Sequence, residues 1–322
     1  MRVAQIERNG GPEAIVSASR PTPEPRAGEV RVCVEAAGVN FVDVYTRTGL
    51  YPSPLPAVLG REGAGVVEAL GEGAAELRVG DRVAWAGVSG SYASHVVAPA
   101  SALVKVPDAV PLPTAAAVML QGMTVDYLVR AVRPLGRGDR CLIHAGAGGV
   151  GLLFCQRARA LGVEVFATVS SEEKAKLARE AGATHVIDYR RTDFAEEVKR
   201  LTEGQLLDVV YDSVGKDTFE QSLRCLRPRG MLVLFGQSSG PVPPFELRVL
   251  SDLGSLFVTR PTLRDYTRTR EELVDRATTV LQAVARGELD VRIHSVLPLE
   301  RAAEAHRLLE GRGTSGKLVL AP

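Results

Sequence analysis

The sequence predicts an α/β chain in which a doubly wound parallel sheet is joined to a compact, mainly β domain. Three observations carry this. Twelve of the 19 prolines lie at or before Pro134, so the first part of the chain should be short strands and loops. Beyond Pro134, apolar runs alternate regularly with helical patterns. One of those strand-to-helix junctions is a glycine-rich turn, His144-Ala145-Gly146-Ala147-Gly148-Gly149-Val150-Gly151.

In chain order, Val30 to Ala36, Ala64 to Leu70 and Asp81 to Ala86 are β-branched or apolar runs bounded by Gly and Pro. They predict an antiparallel, barrel-like domain in which helix is scarce, with Pro107 to Pro113 as a loop-like stretch. Cys141 to Ala145 then reads as a strand, Gly149 to Leu161 as a helix, Glu164 to Val169 as a second strand, and Glu172 to Ala181 as a helix closed by Gly182. The cycle continues through strands at His185 to Tyr189, Asp208 to Asp212, Met231 to Phe235 and Ser255 to Val258, with helices near Asp193 to Thr202 and Thr218 to Leu226. Six strands separated by helices imply a parallel sheet. A long helix near Arg270 to Arg286, a strand near Ile293, a helix near Arg301 to Leu309 and a final strand, Lys317 to Leu320, complete the chain. The expected boundaries are 1–123, 124–262 and 263–322, with the last segment returning to the first domain.

Composition narrows the function classes. Lys plus Arg (39) nearly cancels Asp plus Glu (38), so the net charge of +1 offers no broad attraction for nucleic acid or an anionic membrane. The four cysteines are scattered without a C-x-x-C pair and read as reduced thiols, which with the absence of a signal-like start predicts a cytoplasmic protein. No apolar run approaches the roughly 18 residues of a membrane helix. The histidines are solitary, and neither a G-x-S-x-G elbow nor a P-loop is present, so acyl and phosphoryl transfer have no support.

The glycine turn contains G-x-G-x-x-G at Gly146, Gly148 and Gly151, and its setting between strand and helix predicts a dinucleotide. Glycines let backbone approach a pyrophosphate, and the helix N-terminus offers N–H groups and a positive dipole end. The second strand ends Thr168-Val169-Ser170-Ser171, with no acid to receive a ribose 2′-hydroxyl. Hydroxyls and nearby Lys174 suit a 2′-phosphate, so NADPH is the expected cofactor. Glu172 and Glu173 adjoin this tip, and Ser170 with Glu173 also fits a capping box for the following helix.

Several further motifs accompany the turn: Gly38-Val39-Asn40-Phe41-Val42-Asp43, Gly49-Leu50-Tyr51-Pro52, Gly60-Arg61-Glu62-Gly63-Ala64-Gly65, Leu120-Gln121-Gly122-Met123-Thr124, Tyr211-Asp212-Ser213-Val214-Gly215 and Val258-Thr259-Arg260-Pro261. With them the chain resembles, over nearly its whole length, the zinc-independent quinone oxidoreductases, the zeta-crystallin-like branch of the medium-chain dehydrogenase/reductase superfamily. The resemblance implies a GroES-like catalytic domain, a Rossmann nucleotide domain, and a homodimer formed through the sheet strand around Leu256 to Thr259. Asn40, Arg61 and Leu120 stand where zinc-containing relatives carry a cysteine, a histidine and a second cysteine, so no metal is expected.

By the same resemblance, Gly148, Gly149 and Val150 would meet the pyrophosphate, and Ser170, Lys174, Tyr189 and Arg312 the 2′-phosphate. Asn40, Thr124, Phe235, Gly236, Phe257 and Val258 would line the nicotinamide side, with Ser213 and Val214 along the cofactor. The implied reaction is NADPH-dependent reduction of a quinone, and the donors expected to meet its oxygen are Asn40, Tyr45 and Tyr51. Asp43 is expected to hold backbone near Asn40, and Arg61 to pair with Glu62. Reduction of α,β-unsaturated aldehydes or ketones is the alternative activity, and a non-catalytic NADPH- or RNA-binding role is a third, although the sequence holds no RNA-binding module.

Overall fold

The computed structural model describes residues 1–322, which divide into one unit made of residues 1–123 with 266–322 and another made of residues 124–265. The first begins with β1 (Arg2–Ile6), β2 (Ile15–Ser19) and β3 (Glu29–Val39), followed by α1 (Phe41–Thr48) and β4 (Ala57–Val58). β2, β1 and β4 make a small antiparallel sheet. β5 (Glu62–Leu70), β6 (Arg82–Ala86), β7 (His95–Pro99) and β8 (Val104–Lys105) build a second sheet around β3. Along β3, Val30, Val32 and Val34 turn inward onto Trp85 and Leu103, while Cys33 and Glu35 face out, the two-residue alternation of a half-buried strand.

Helix is less scarce here than expected. α2 (Leu112–Tyr127) occupies a region whose prolines suggested a loop. Pro111 and Pro113 sit at its start, where a missing N–H costs nothing, and Ala115 to Met119 are all buried. A helix apolar on every side shows no 3.6-residue stripe.

The second unit runs β9 (Arg140–Ile143), α3 (Gly149–Ala160), β10 (Glu164–Val169), α4 (Glu172–Ala181), β11 (His185–Asp188), α5 (Phe194–Leu201), β12 (Leu207–Asp212), α6 (Phe219–Arg224), β13 (Leu226–Leu234), α7 (Arg248–Asp252) and β14 (Phe257–Thr259). Its strands lie in the order β11-β10-β9-β12-β13-β14, every pair parallel. Numbered within this sheet, that order is 3-2-1-4-5-6, the doubly wound dinucleotide arrangement. The predicted alternation is therefore present, with β13 starting at Leu226 rather than at Met231.

The chain then returns through α8 (Arg270–Ala285), β15 (Ile293–Pro298), α9 (Ala302–Glu310) and β16 (Lys317–Ala321). β16 inserts between β15 and β3, with Leu318 opposite Val39 and Leu320 opposite Ala37. That register carries Lys317 level with Asn40.

Candidate functional site

In the second unit, the glycine turn leaves the end of β9 and opens α3, with Gly148 as the helix N-cap. Gly146 N–H bonds the Thr168 carbonyl at 2.9 Å, holding the turn against β10. A Cβ on Gly146 would stand 2.7 Å from that of Ala167, and one on Gly151 would overlap the carbonyl oxygen of Ala145. These two glycines are required by close approach of strand, turn and helix. Gly148, Gly149 and Val150 lie at the half-buried N-terminus of α3, where backbone N–H groups lack helical partners and favour an anion.

At the tip of β10 the structure corrects one expectation. The N-cap of α4 is Ser171, whose Oγ accepts from Lys174 N–H at 3.3 Å, and not Ser170. Ser170 is thus not used to start the helix. Tyr189 N–H bonds the Val169 carbonyl at 3.1 Å, which places Tyr189 and Arg190 beside that tip. Burial, and next the positive charge of Arg190, lower the Lys174 pKa. Arg190, which the sequence reading passed over, makes this tip more cationic than Lys174 alone; its only signal was its place one residue after Tyr189.

Ser213, Val214, Phe235 and Gly236 come together at the ends of β12 and β13. Phe235 N–H bonds the Asp212 carbonyl at 2.9 Å, and a Cβ on Gly236 would come within 2.7 Å of the Ser213 carbonyl oxygen. Thr124 is buried in α2. Phe257 stands apart from these residues, at the start of β14 opposite Met231, and is 57% exposed; Val258 follows opposite Leu232. Arg312 is exposed on the turn after α9, in the first unit.

Also in the first unit, Asn40 caps α1, and the Asp43 carboxylate accepts its backbone N–H at 2.9 Å, the holding role expected of Asp43. The Asn40 amide nitrogen donates to Glu62 Oε2 at 2.8 Å and to the Gly38 carbonyl at 3.3 Å, and Asn40 Oδ1 accepts from Lys317 Nζ at 2.6 Å. Both amide hydrogens are therefore engaged within the unit. Glu62 does not pair with Arg61: it turns inward, accepts from Lys317 Nζ at 2.6 Å and takes the Leu120 N–H at 2.6 Å. Consecutive strand residues face opposite ways, so only one of Arg61 and Glu62 can enter the core. A Cβ at Gly38 would collide with the Glu62 carboxylate, so that glycine makes room for it.

A second chain of bonds starts at Asp43. Tyr92 O–H donates to Asp43 Oδ2 at 3.0 Å, His306 Nε2 lies 3.2 Å from the same hydroxyl, and Arg47 Nη1 lies 3.1 Å from His306 Nδ1. Arg47 also grips Glu310 with two nitrogens at 2.8 and 2.9 Å. Arginine can only donate and the Tyr92 proton goes to Asp43, so His306 is the neutral Nε2–H tautomer. Burial, with Arg47 beside it, lowers its pKa to about 3. Burial raises Asp43 to about 7 against the opposing bonds from Asn40 and Tyr92 and the positive charge of Lys317, and Asp43 Oδ1 has no partner.

Tyr45 and Tyr51 meet edge to face with ring centroids 5.2 Å apart, and Tyr51 N–H bonds the Tyr45 carbonyl at 2.9 Å. Tyr45 is buried and Tyr51 half-buried. No group of three or more His, Cys, Asp or Glu side chains gathers that could hold a metal ion, and no helix is long and apolar enough to cross a membrane.

Comparison with known proteins agrees with this architecture. The model of the alcohol dehydrogenase GroES-like domain matches residues 26–108, and that of the zinc-binding dehydrogenases matches residues 149–285. The chain is 49% identical over 320 residues to a quinone oxidoreductase of Pseudomonas aeruginosa, covering 99% of this chain and 98% of that one. It is 43% identical over 330 residues to a 2-haloacrylate reductase of Burkholderia, with 99% and 98% covered. The crystal structure of Escherichia coli quinone oxidoreductase complexed with NADPH superposes with a TM-score of 0.98 at 42% identity, covering 100% of both chains. Asn40, Arg61 and Leu120 supply no thiolate or imidazole, and Glu62 is occupied by Lys317, so these residues do not fit the zinc ion that one matching family is named for. The chain belongs to the quinone oxidoreductase family of the medium-chain dehydrogenase/reductase superfamily.

Proposed function

We propose that this protein reduces quinones with NADPH and without a metal ion. The observation that carries the reading is the acid-free tip of β10, where Ser170 is not used as a cap and Lys174 and Arg190 add positive charge. The full-length likeness to quinone oxidoreductases supports the acceptor. NADPH, when bound, supplies the hydride. The N–H groups of Gly149 and Val150 hold its pyrophosphate, Gly148, whose own N–H bonds the Ala145 carbonyl, lets it approach, and Ser170, Lys174 and Tyr189 hold the 2′-phosphate. Thr124, Ser213, Val214, Phe235, Gly236 and Val258 position the nicotinamide end. In the first unit Asn40 acts by fixing the start of α1, since its amide hydrogens are already bonded. Tyr45 and Tyr51 offer flat rings and O–H donors to the quinone oxygen, and water returns the proton that completes the hydroquinone.

A second reading is reduction of an activated carbon–carbon double bond, favoured by the 43% identity to a 2-haloacrylate reductase. The protein acts in the cytoplasm as a homodimer joined along β14, the edge strand of its sheet; Phe257 there and Leu247, 73% exposed, suit a protein contact better than water. The four unpaired cysteines suit a reducing compartment.

The test is oxidation of NADPH and NADH by metal-free protein with a small benzoquinone, a bulky polycyclic quinone, an alkenal and 2-chloroacrylate side by side. Preferential NADPH oxidation with a quinone is expected. Turnover with only the alkenal or chloroacrylate would leave the cofactor and overturn the quinone.

A further inference from the structure

A buried polar chain lies directly under the segments that hold the dinucleotide. His144 directly follows β9 and is the first residue of the glycine turn. Its Nδ1 is 2.9 Å from Thr168 Oγ1, and its Nε2 is 2.9 Å from Ser222 Oγ. Ser222 Oγ donates to Asp212 Oδ2 at 3.1 Å, and Asp212 Oδ1 accepts the N–H groups of Val214 at 2.8 Å and Gly215 at 3.0 Å. Thr218 Oγ1 reaches the same carboxylate at 2.7 Å.

Each proton in this chain has one place to go. A carboxylate only accepts, so the Ser222 proton belongs to Asp212, and the Ser222 oxygen receives the His144 Nε2–H. The Thr168 hydroxyl then donates to Nδ1. Burial holds the ring neutral, its pKa lowered despite Asp212, and Phe194 packs edge to face on it at 4.9 Å. His144, Thr168, Asp212 and Ser222 are all buried.

We propose that His144 is a positioning residue for the dinucleotide: its ring ties the glycine turn it opens to the tip of β10 through Thr168, and to the loop of Ser213 and Val214 through Ser222 and Asp212. The three segments that carry the pyrophosphate, the ribose and the nicotinamide end are thereby set at one spacing. Neither acid–base chemistry nor contact with the cofactor is involved. The inference rests on the placement of NADPH over these loops, and the experiment separates the two.

NADPH and NADH are titrated into the full chain and read by nicotinamide fluorescence, alongside thermal unfolding without cofactor. For His144→Leu the Kd should rise about tenfold for both nucleotides, the equivalent of one unsatisfied buried group. The NADPH-to-NADH ratio should not move, because the 2′-phosphate residues are untouched. KM for NADPH should rise with Kd, while kcat at saturating NADPH falls less than about threefold. Thr168→Val removes one hydroxyl at constant shape and should weaken both nucleotides in the same direction, with no added loss when combined with His144→Leu. Should His144→Leu fail to fold, Thr168→Val and Ser222→Ala carry the test. Unchanged Kd in variants whose unfolding temperature drops would reduce His144 to packing and overturn the proposal. A parent protein that binds neither nucleotide would overturn the cofactor placement itself, and this inference with it.

Discussion

Lys317 Nζ lies 2.6 Å from Glu62 Oε2, with 1% and 0% of the two side chains exposed, although 255 residues separate them. Register makes the contact: β16 pairs with β3, β3 pairs with β5, and Gly38 between them has no side chain to obstruct it.

Because the pair is buried, breaking it should cost more than replacing it. Lys317→Met alone leaves the Glu62 carboxylate without its cation, and a loss of about 3–5 kcal/mol is expected. Lys317→Met with Glu62→Gln removes both charges, keeps an acceptor for the Leu120 N–H, and should recover most of that loss. Urea denaturation of the two single variants and the double variant checks this; a double variant no more stable than Lys317→Met would contradict it.

The Asp43–Tyr92–His306 chain predicts two opposing pH dependences. Asp43 is raised from 3.8 to about 7, so the folded state binds its proton more tightly than the unfolded chain, and its contribution to stability declines as pH rises from about 4 to about 7. His306 is lowered from 6.5 to about 3, so the unfolded chain takes the proton, and stability is lost as pH falls from about 6.5 towards 3. Between about pH 4 and 6.5 the two slopes offset each other. Relative to the parent, Asp43→Asn should become less stable on acidification from pH 6.5 to 4.5, and His306→Gln should become more stable. Denaturation midpoints at the two pH values settle the signs.

Cofactor choice should follow the charge at the β10 tip. Lys174→Ala is expected to weaken NADPH about tenfold, an ion-pair-sized effect, and to leave NADH little changed. Ser170→Asp should go further, because its carboxylate repels a 2′-phosphate and can accept from a 2′-hydroxyl. The kcat/KM ratio for the two nucleotides measures both. A Ser170→Asp protein that still prefers NADPH would remove Ser170 from the site.

No single donor should be indispensable to quinone reduction. Tyr45→Phe and Tyr51→Phe each remove one hydroxyl from a ring pair that otherwise keeps its packing. Losses in kcat below about a thousandfold are expected, within the range of one general acid–base group. A larger fall in either variant would make that hydroxyl essential and contradict the shared role.

The second unit was legible because its signals are local. Gly182, read from its neighbours as the end of α4, closes it in the left-handed conformation, and Asp193, where a helix was expected to start, caps α5. The glycine turn declared itself through spacing in the same way. What stayed hidden is long-range or apolar. Lys317 reads as an ordinary strand residue, and nothing near it in sequence names Glu62 or Asn40 as its partners. His144 looks solitary because Thr168, Ser222 and Asp212 reach it from other strands and a helix. α2 lacks a polar face and so lacks a period. The cap on α4 was misplaced by one residue because two adjacent serines each precede glutamates, and only backbone geometry selects Ser171.

The place of β16 has a consequence for the order in which the protein is made. The parallel sheet has all six of its strands by residue 265, whereas the sheet built on β3 has a gap until residues 317–321 are joined to it. During synthesis the later-made unit can thus close first, and the earlier one waits with a strand edge unpaired and Glu62 without its counter-ion. The ammonium that completes the core of the N-terminal sheet is made only after every strand of the parallel sheet, so any early stop or clipping before Lys317 would leave the dinucleotide fold whole and the catalytic fold open.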